Sequence, residues 1–81
     1  MAGPRRQPFL LLVNEITYND RQRLREMLSA IGATLRRTST PMSGPVEVMV
    51  EMIEADMHRV EEVFRQVGIP IIGVEEIEVE E

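Results

Sequence analysis

Five consecutive apolar residues, Phe9 to Val13, stand between Pro8 and Asn14 and constrain the fold more than any other stretch of the chain. A strand with one face in water alternates apolar and polar residues, so an unbroken apolar run indicates a strand covered on both faces or a short buried helix. The length of the run favours the strand. We therefore predict a central strand from Phe9 to about Val13 or Asn14, with apolar side chains on both faces of its sheet.

The length of 81 residues predicts a single domain over 8–81, preceded by a flexible tail over 1–7. A domain of this size buries only about 60% of the surface that its unfolded chain exposes, so its stability benefits from association. The chain has no Cys, which excludes a disulfide framework and a thiolate metal site. Its first residues do not have the pattern of a signal peptide, and no run is long enough for a membrane span. We expect a cytoplasmic protein.

The net charge of −5 is unevenly distributed along the chain. The first 40 residues hold seven Arg and three acidic residues, whereas the remaining 41 hold two Arg and eleven acidic residues. Nucleic-acid binding depends on a clustered basic face that neutralises phosphates, and an acidic domain lacks one. The charge therefore argues against a nucleic-acid partner, although the basic first half leaves a weak form of that hypothesis open.

Two stretches carry apolar residues at helical spacing and are each followed by Gly. The first helix is predicted over Arg21–Ile31 and the second over about Asp56–Val67. Gly32 and Gly68 occupy the position of a left-handed C-terminal cap, so we expect each helix to end there. The apolar stripes consist of Leu24, Met27, Leu28 and Ile31 in the first helix and of Met57, Val60, Phe64 and Val67 in the second.

Three further strands are predicted. Residues 33–40 are rich in β-branched residues but poor in large apolar ones, which is typical of an edge strand, here with Leu35 facing inward. Residues 41–45 contain two Pro and form a hairpin loop. Val46–Ile53 alternates apolar residues with a mixed face and is the clearest strand of the chain. The last strand is predicted over Val74–Glu80, after an irregular start at Ile71 and Ile72 and with Ile77 and Val79 facing inward.

The predicted order is β-α-β-β-α-β, in two halves of similar length. A right-handed crossover in each half places the first and third strands in the centre of the sheet and both helices on one face. We therefore predict an α+β fold, the ferredoxin-like two-layer sandwich with a four-stranded antiparallel sheet.

One helix layer leaves the second face of this sheet uncovered, although its central strand is apolar on both sides. Contiguous exposed apolar surface usually marks an interface or a ligand site. A second copy of the chain, a small ligand, a different protein or the chain's own tail could cover it, and we expect a homo-oligomer. Opposite charges on the two edge strands offer a second route to assembly, or only keep those edges soluble. The candidate interface residues are Leu10, Leu12 and Met49 on the sheet face and Arg36, Arg37, Glu76 and Glu78 on the edges.

The pattern of the chain over about residues 24–80 resembles an ACT domain, a small regulatory module that often binds amino acids. The effector-binding domain of the Lrp type is similar on the same pattern. The resemblance implies dimers or larger assemblies through sheet or edge packing, with an effector near the connection from the first strand to the first helix. ACT domains usually have a Gly in that connection, and Asn14–Asn19 contains none. The segments that carry the resemblance are Leu28–Ser39, Val46–Val50, Val60–Phe64, Gly68–Ile71 and Val74–Val79.

The same connection holds the densest cluster of polar side chains, at the carboxyl end of a strand, where α/β folds often present ligands. Helix capping and turn formation are the alternative explanation for this cluster. The candidate ligand-binding residues are Asn14, Glu15, Thr17, Tyr18, Asn19 and Asp20.

Motifs for phosphate loops and metalloproteases are absent, and we predict no catalytic residue, metal site or cofactor. His58 is the single His, and we expect it to be exposed. The sequence is most consistent with a small regulatory or ligand-binding module that works as a homo-oligomer, with an amino acid as a candidate effector. The alternatives are a small enzyme or accessory subunit with a cavity between sheet and helices, and a purely structural assembly protein.

Overall fold

The computed structural model describes residues 5–77 and has the predicted ferredoxin-like α+β arrangement. The sheet has the strand order β2-β3-β1-β4, and every neighbouring pair is antiparallel. The first and third strands are therefore central, as predicted. The elements are β1 (Arg6–Val13), α1 (Tyr18–Ala30), β2 (Thr34–Ser39), β3 (Val46–Ile53), a 3₁₀ turn (Glu54–Asp56), α2 (Met57–Val67) and β4 (Ile71–Glu76).

The hydrophobic core lies between the helices and one face of the sheet. Burial alternates along the central strands, because successive side chains of a strand point to opposite faces. Every buried residue whose side chain the structure describes is apolar. The core comprises Phe9, Leu11 and Val13 of β1, Leu35 of β2, Val46, Val48, Val50 and Met52 of β3, Leu24 and Leu28 of α1, Val60, Val63 and Phe64 of α2, and Ala33 and Ile69 after the helices.

Helix α1 begins at Tyr18, three residues before the predicted start at Arg21. Thr17 is the N-cap, and Asp20 completes a capping box by accepting a hydrogen bond from the Thr17 backbone. These bonds satisfy amide groups that have no partner inside the helix, so the helix extends back to the cap. The apolar stripe alone places the helix start too late, because its first turn contains no large buried residue.

Both helices end as predicted. Gly32 and Gly68 have φ values of +84° and +86°, a conformation that residues with a Cβ rarely adopt. The amide of Ala33 donates to the Leu28 carbonyl at 2.9 Å, and the amide of Ile69 donates to the Phe64 carbonyl at 2.9 Å. This is the Schellman arrangement, in which the residue after the Gly packs into the core and closes the helix end.

The starts of β1 and β4 differ from the predictions. β1 begins at Arg6 rather than Phe9, so Arg6 and Gln7, which were assigned to the tail, pair with β3. β4 begins at Ile71 rather than Val74, because Ile71 already pairs with Val13. The register shifts at this point and leaves Ile72 as the extra residue of a bulge, in agreement with the predicted irregularity.

The remaining strand predictions can be compared in the same way. β2 is an edge strand with Leu35 buried, as expected. β3 has the predicted bounds, and residues 40–45 connect it to β2. The predicted inward position of Ile77 within the last strand is wrong, because β4 ends at Glu76 and the half-buried Ile77 lies outside the core cluster. The predicted inward position of Val79 lies outside the described residues.

Candidate functional site

The face of the sheet away from the helices, which we call the open face, carries a row of four residues across all four strands. Leu10 in β1 is opposite Met49 in β3 and opposite Glu75 in β4. Met49 is in turn opposite Arg37 in β2. Directly opposed residues of an antiparallel sheet point to the same face. The row therefore has a cation at one end, two apolar side chains in the centre and a carboxylate at the other end.

The apolar centre of the open face is half-buried. Leu10, Leu12 and Met49 are all of intermediate exposure, whereas the residues that alternate with them in the central strands are buried by the helices. Leu12 lies close over Gly73 of β4, with its Cδ1 3.1 Å from the position that a Gly73 Cβ would occupy. Pro8 and Ile53 continue the apolar surface towards the far end of the sheet. Leu10, Leu12 and Met49 thus share the face away from the helices, whereas Phe9, Leu11 and Val13 face the core.

A polar cluster joins three strands at the amino end of β1. The Nε of Arg36 donates to Glu51 Oε2 at 2.7 Å, and its Nη2 donates to the same oxygen. The Nη2 of Arg6 donates to Thr34 Oγ1 at 2.8 Å and to the Glu51 carbonyl at 3.2 Å. Arg36, predicted at an assembly interface, is therefore paired within its own chain.

An open depression of about 520 Å³ lies beside this cluster on the open face, lined by Pro8, Arg36, Arg37, Met49 and Glu51. It joins the charged β2 edge to the apolar centre. Arg37 is exposed, and neither Arg37 nor Glu75 forms an ion pair with another residue of the range 5–77.

The edge residues predicted on β4 are only partly placed. The backbone of Glu76 pairs opposite Phe9 at the edge of the sheet. Glu78 lies outside the described residues. The acid that completes the row on the open face is Glu75, which was not among the predicted interface residues. Its register opposite Leu10 depends on the bulge at Ile72, and the predicted irregularity there does not by itself determine which residue of β1 stands opposite Glu75.

The predicted ligand cluster divides into two groups. Thr17 and Asp20 form the capping box of α1, so their polar groups have a structural role. The other four residues of the cluster have exposed side chains, and the ring of Tyr18 is 72% exposed. They surround the carboxyl end of β1 and are Asn14, Glu15, Tyr18 and Asn19.

A groove of about 570 Å³ between the two helices was missed by sequence reasoning. Met27, Ile31 and Val63 form its apolar floor, and His58, Glu62 and others line its rim. Each helix shows its own apolar stripe, but neither periodicity reveals the gap between two packed helices. His58 itself is exposed, as expected.

Neither a metal-binding cluster nor a membrane-spanning helix is found among the described residues. No group of three or more His, Asp or Glu side chains within residues 5–77 is arranged to hold a metal ion. Neither described helix is long and apolar enough to cross a membrane. Comparison of the chain with family models, with curated proteins and with solved structures finds no match in any of the three.

Proposed function

We propose that the chain is a small regulatory or ligand-binding module that acts as a homo-oligomer through the open face of its sheet. The observation that carries the proposal is the apolar centre of that face, Leu10, Leu12 and Met49, which no described element covers. An apolar surface bordered by charged residues is typical of a protein interface. A small domain also gains stability when a partner covers such a surface.

A second copy is the occupant we favour, because the open face carries both signs of charge. Arg37 borders it on β2 and Glu75 borders it on β4. A surface with both signs can be complementary to itself, which an interface between identical copies requires. A partner of a single strong charge would match only one of the two borders.

The second part of the proposal is that an amino acid binds at the carboxyl end of β1. The carboxylate of Glu15 can accept hydrogen bonds from an ammonium group, and the amides of Asn14 and Asn19 can donate to a carboxylate. The exposed ring of Tyr18 supplies an apolar surface beside them. Asn14 and Glu15 directly follow β1, the strand that carries Leu10 and Leu12, so a ligand there would lie at one end of the sheet.

An enzyme with an active site between the layers is the alternative from another class. Every buried residue whose side chain is described is apolar, whereas a catalytic site needs an acid, a base or a nucleophile in its cavity. This favours a binding module over that alternative. A purely structural assembly protein would use the same open face and differ only in having no ligand.

Light scattering after size-exclusion chromatography, at two protein concentrations, tests assembly. We expect the native chain to be an oligomer and Leu10→Glu to be a folded monomer, because burying a carboxylate without a partner is unfavourable. Met42→Glu is the matched control, since Met42 is fully exposed in the β2–β3 loop. Circular dichroism verifies the folding of both variants. A monomeric native chain, or an oligomer that survives Leu10→Glu, would refute the assembly claim.

A thermal-shift screen with the common amino acids tests ligand binding. A ligand at 100 times its Kd stabilises the folded state by about 2.7 kcal/mol, which is a readily measured rise in Tm. Glu15→Gln and Asn19→Ala should abolish the rise, and Met42→Ala should preserve it. A screen without any response would favour the structural assembly protein.

A further inference from the structure

We propose that two copies pack open face to open face about a two-fold axis that runs along the strands, so that Arg37 of each protomer meets the partner's Glu75. This inference rests on the proposed function, because it requires assembly through the open face. It goes further by fixing the geometry of the assembly. The row formed by Arg37, Met49, Leu10 and Glu75 supplies the argument.

The row crosses the whole sheet at one level. Neighbouring strands are about 4.8 Å apart, so its charged ends are separated by roughly 14 Å, with Met49 and Leu10 between them. The order is cation, apolar, apolar, carboxylate. Read from the opposite edge, the same row has the reverse order of charge. A copy turned over about the strand direction therefore presents the complementary row.

If the strands of the two sheets are aligned and the axis passes through the row, symmetry leaves two ways to stack identical faces. In both, the two-fold axis lies in the interface, because each protomer must turn its open face towards the other. An axis along the strands places β2 of one protomer over the partner's β4. An axis across the strands places β2 over β2 and β4 over β4.

Charge distinguishes between these two arrangements. With the axis along the strands, Arg37 meets the partner's Glu75 twice, and Met49 meets the partner's Leu10 twice. With the axis across the strands, Arg37 approaches the partner's Arg37 and Glu75 approaches the partner's Glu75. Like charges placed together at an interface are strongly unfavourable, so the first arrangement is preferred.

Of the neighbouring carboxylates on the open face, Glu51 forms an ion pair inside its protomer and Glu47, opposite Leu12, forms none with residues 5–77. Glu51 is paired with Arg36 inside each protomer, so its carboxylate is already neutralised. Arg37 has no such partner among residues 5–77. The two adjacent arginines of β2 thus have separate roles, one within the protomer and one towards its partner. The bulge between Leu35 and Arg37 separates them in register.

Cysteine cross-linking tests the axis directly, because the chain contains no Cys. Each variant carries one new thiol, either Arg37→Cys or Glu75→Cys, and is treated with a short bifunctional thiol-reactive cross-linker, alone and as an equal mixture. We expect a cross-linked dimer mainly in the mixture, since stacked sheets lie about 10 Å apart, which such a linker spans and a direct disulfide does not. Met42→Cys, mixed with either variant, is the control for random collision.

Charge reversal gives a second test, which measures the Kd of the homodimer and does not depend on cross-linking. Arg37→Glu and Glu75→Arg should each raise the Kd of the homodimer about tenfold or more, because each creates like-charge contacts. The double variant Arg37→Glu/Glu75→Arg should return the Kd to near that of the native chain. Both positions of the test are exposed, so the three variants are expected to fold.

The outcomes separate the inference from the proposed function. Self-linking of Arg37→Cys would identify the axis across the strands and overturn the inference, while assembly through the open face would stand. A native dimer without cross-links in any combination would place the contact elsewhere and overturn the inference. If Leu10→Glu leaves the oligomer intact, or if the native chain is monomeric, the proposed function fails first and the inference fails with it.

Discussion

The backbone amide of Asp20 donates to the hydroxyl of Thr17 at 3.1 Å, and the amide of Thr17 donates to a carboxylate oxygen of Asp20 at 3.4 Å. This reciprocal pair determines where α1 begins. It also assigns two residues of a conspicuous polar cluster to the structure of the helix. The remaining polar side chains at the carboxyl end of β1 are exposed and available to a ligand.

Thr17→Ala should lower the free energy of unfolding by about 1 kcal/mol, because it removes the N-cap acceptor. Thr17→Ser should retain most of the stability, since Ser is at least as good an N-cap. Urea denaturation followed by circular dichroism measures both. Asn19→Ala, in the same turn but without a capping bond, is the control and should change the stability by less than about 0.5 kcal/mol. Equal losses for Thr17→Ala and Asn19→Ala would contradict the capping role.

Because Leu12 lies close to Gly73, we expect larger residues at position 73 to affect the stability of the fold. A Cβ at Gly73 would lie 3.1 Å from Leu12 Cδ1, and Leu12 is only half-buried and can move by a few tenths of an ångström. We expect Gly73→Ala to be nearly neutral. Gly73→Val, which brings two more methyl groups against Leu12, should destabilise the fold by about 1 to 3 kcal/mol.

A double-mutant cycle measures this contact. Leu12→Ala should remove most of the cost of Gly73→Val, because it removes the side chain with which the valine collides. The free energies of unfolding of the four variants should therefore be non-additive. If the two substitutions add within about 0.3 to 0.5 kcal/mol, the two residues are not coupled as their distance implies.

The sequence predicts the core of this fold well, because buried residues in a two-layer sandwich recur at the regular spacing of a strand or a helix. Val46 to Ile53 alternates, and the helix residues Val60 and Phe64 fall on one stripe, so the element types and the strand order follow from the pattern. Gly68 marks a helix end for a local steric reason. These features depend on residues close in sequence, and they agree with the structure.

Some element boundaries and the open-face row were not predicted, because they depend on hydrogen bonds and strand register rather than on the spacing of apolar residues. The start of α1 depends on the bonds between Thr17 and Asp20, and β4 begins early because Ile71 pairs with Val13. Glu75 joins the row on the open face only through the bulge at Ile72. A shift of one residue moves a side chain to the other face, so a site formed across strands cannot be read from alternation within one strand.

The ion pair between Arg36 and Glu51 should contribute little to stability. Both groups are partly exposed, with side-chain exposures of 57% and 25%, and exposed pairs typically contribute less than about 1 kcal/mol. Glu51→Gln should therefore lower the stability by less than that amount, and the loss should shrink in high salt. Its carbonyl bond from Arg6 is unaffected, because that bond uses the backbone.

The control for this pair is Arg65→Gln, which breaks the exposed pair with Glu62 within α2. Both variants should behave alike in urea denaturation. A loss of several kcal/mol for Glu51→Gln alone would mean that the carboxylate organises the three strands, in contrast to our expectation.

The melting temperature should rise with protein concentration if the open face is covered by a second copy. Association stabilises the folded state by mass action, in the same way as any ligand that binds only the folded chain. For a domain of this size, 1 kcal/mol changes Tm by about 4 to 8 °C, so a hundredfold range of concentration gives a measurable change. Leu10→Glu should melt at one temperature across that range, because its open face cannot be buried, and Met42→Glu should follow the native chain. A native Tm that is independent of concentration, measured on either side of the dissociation constant found by light scattering, would show that folding and association are not coupled.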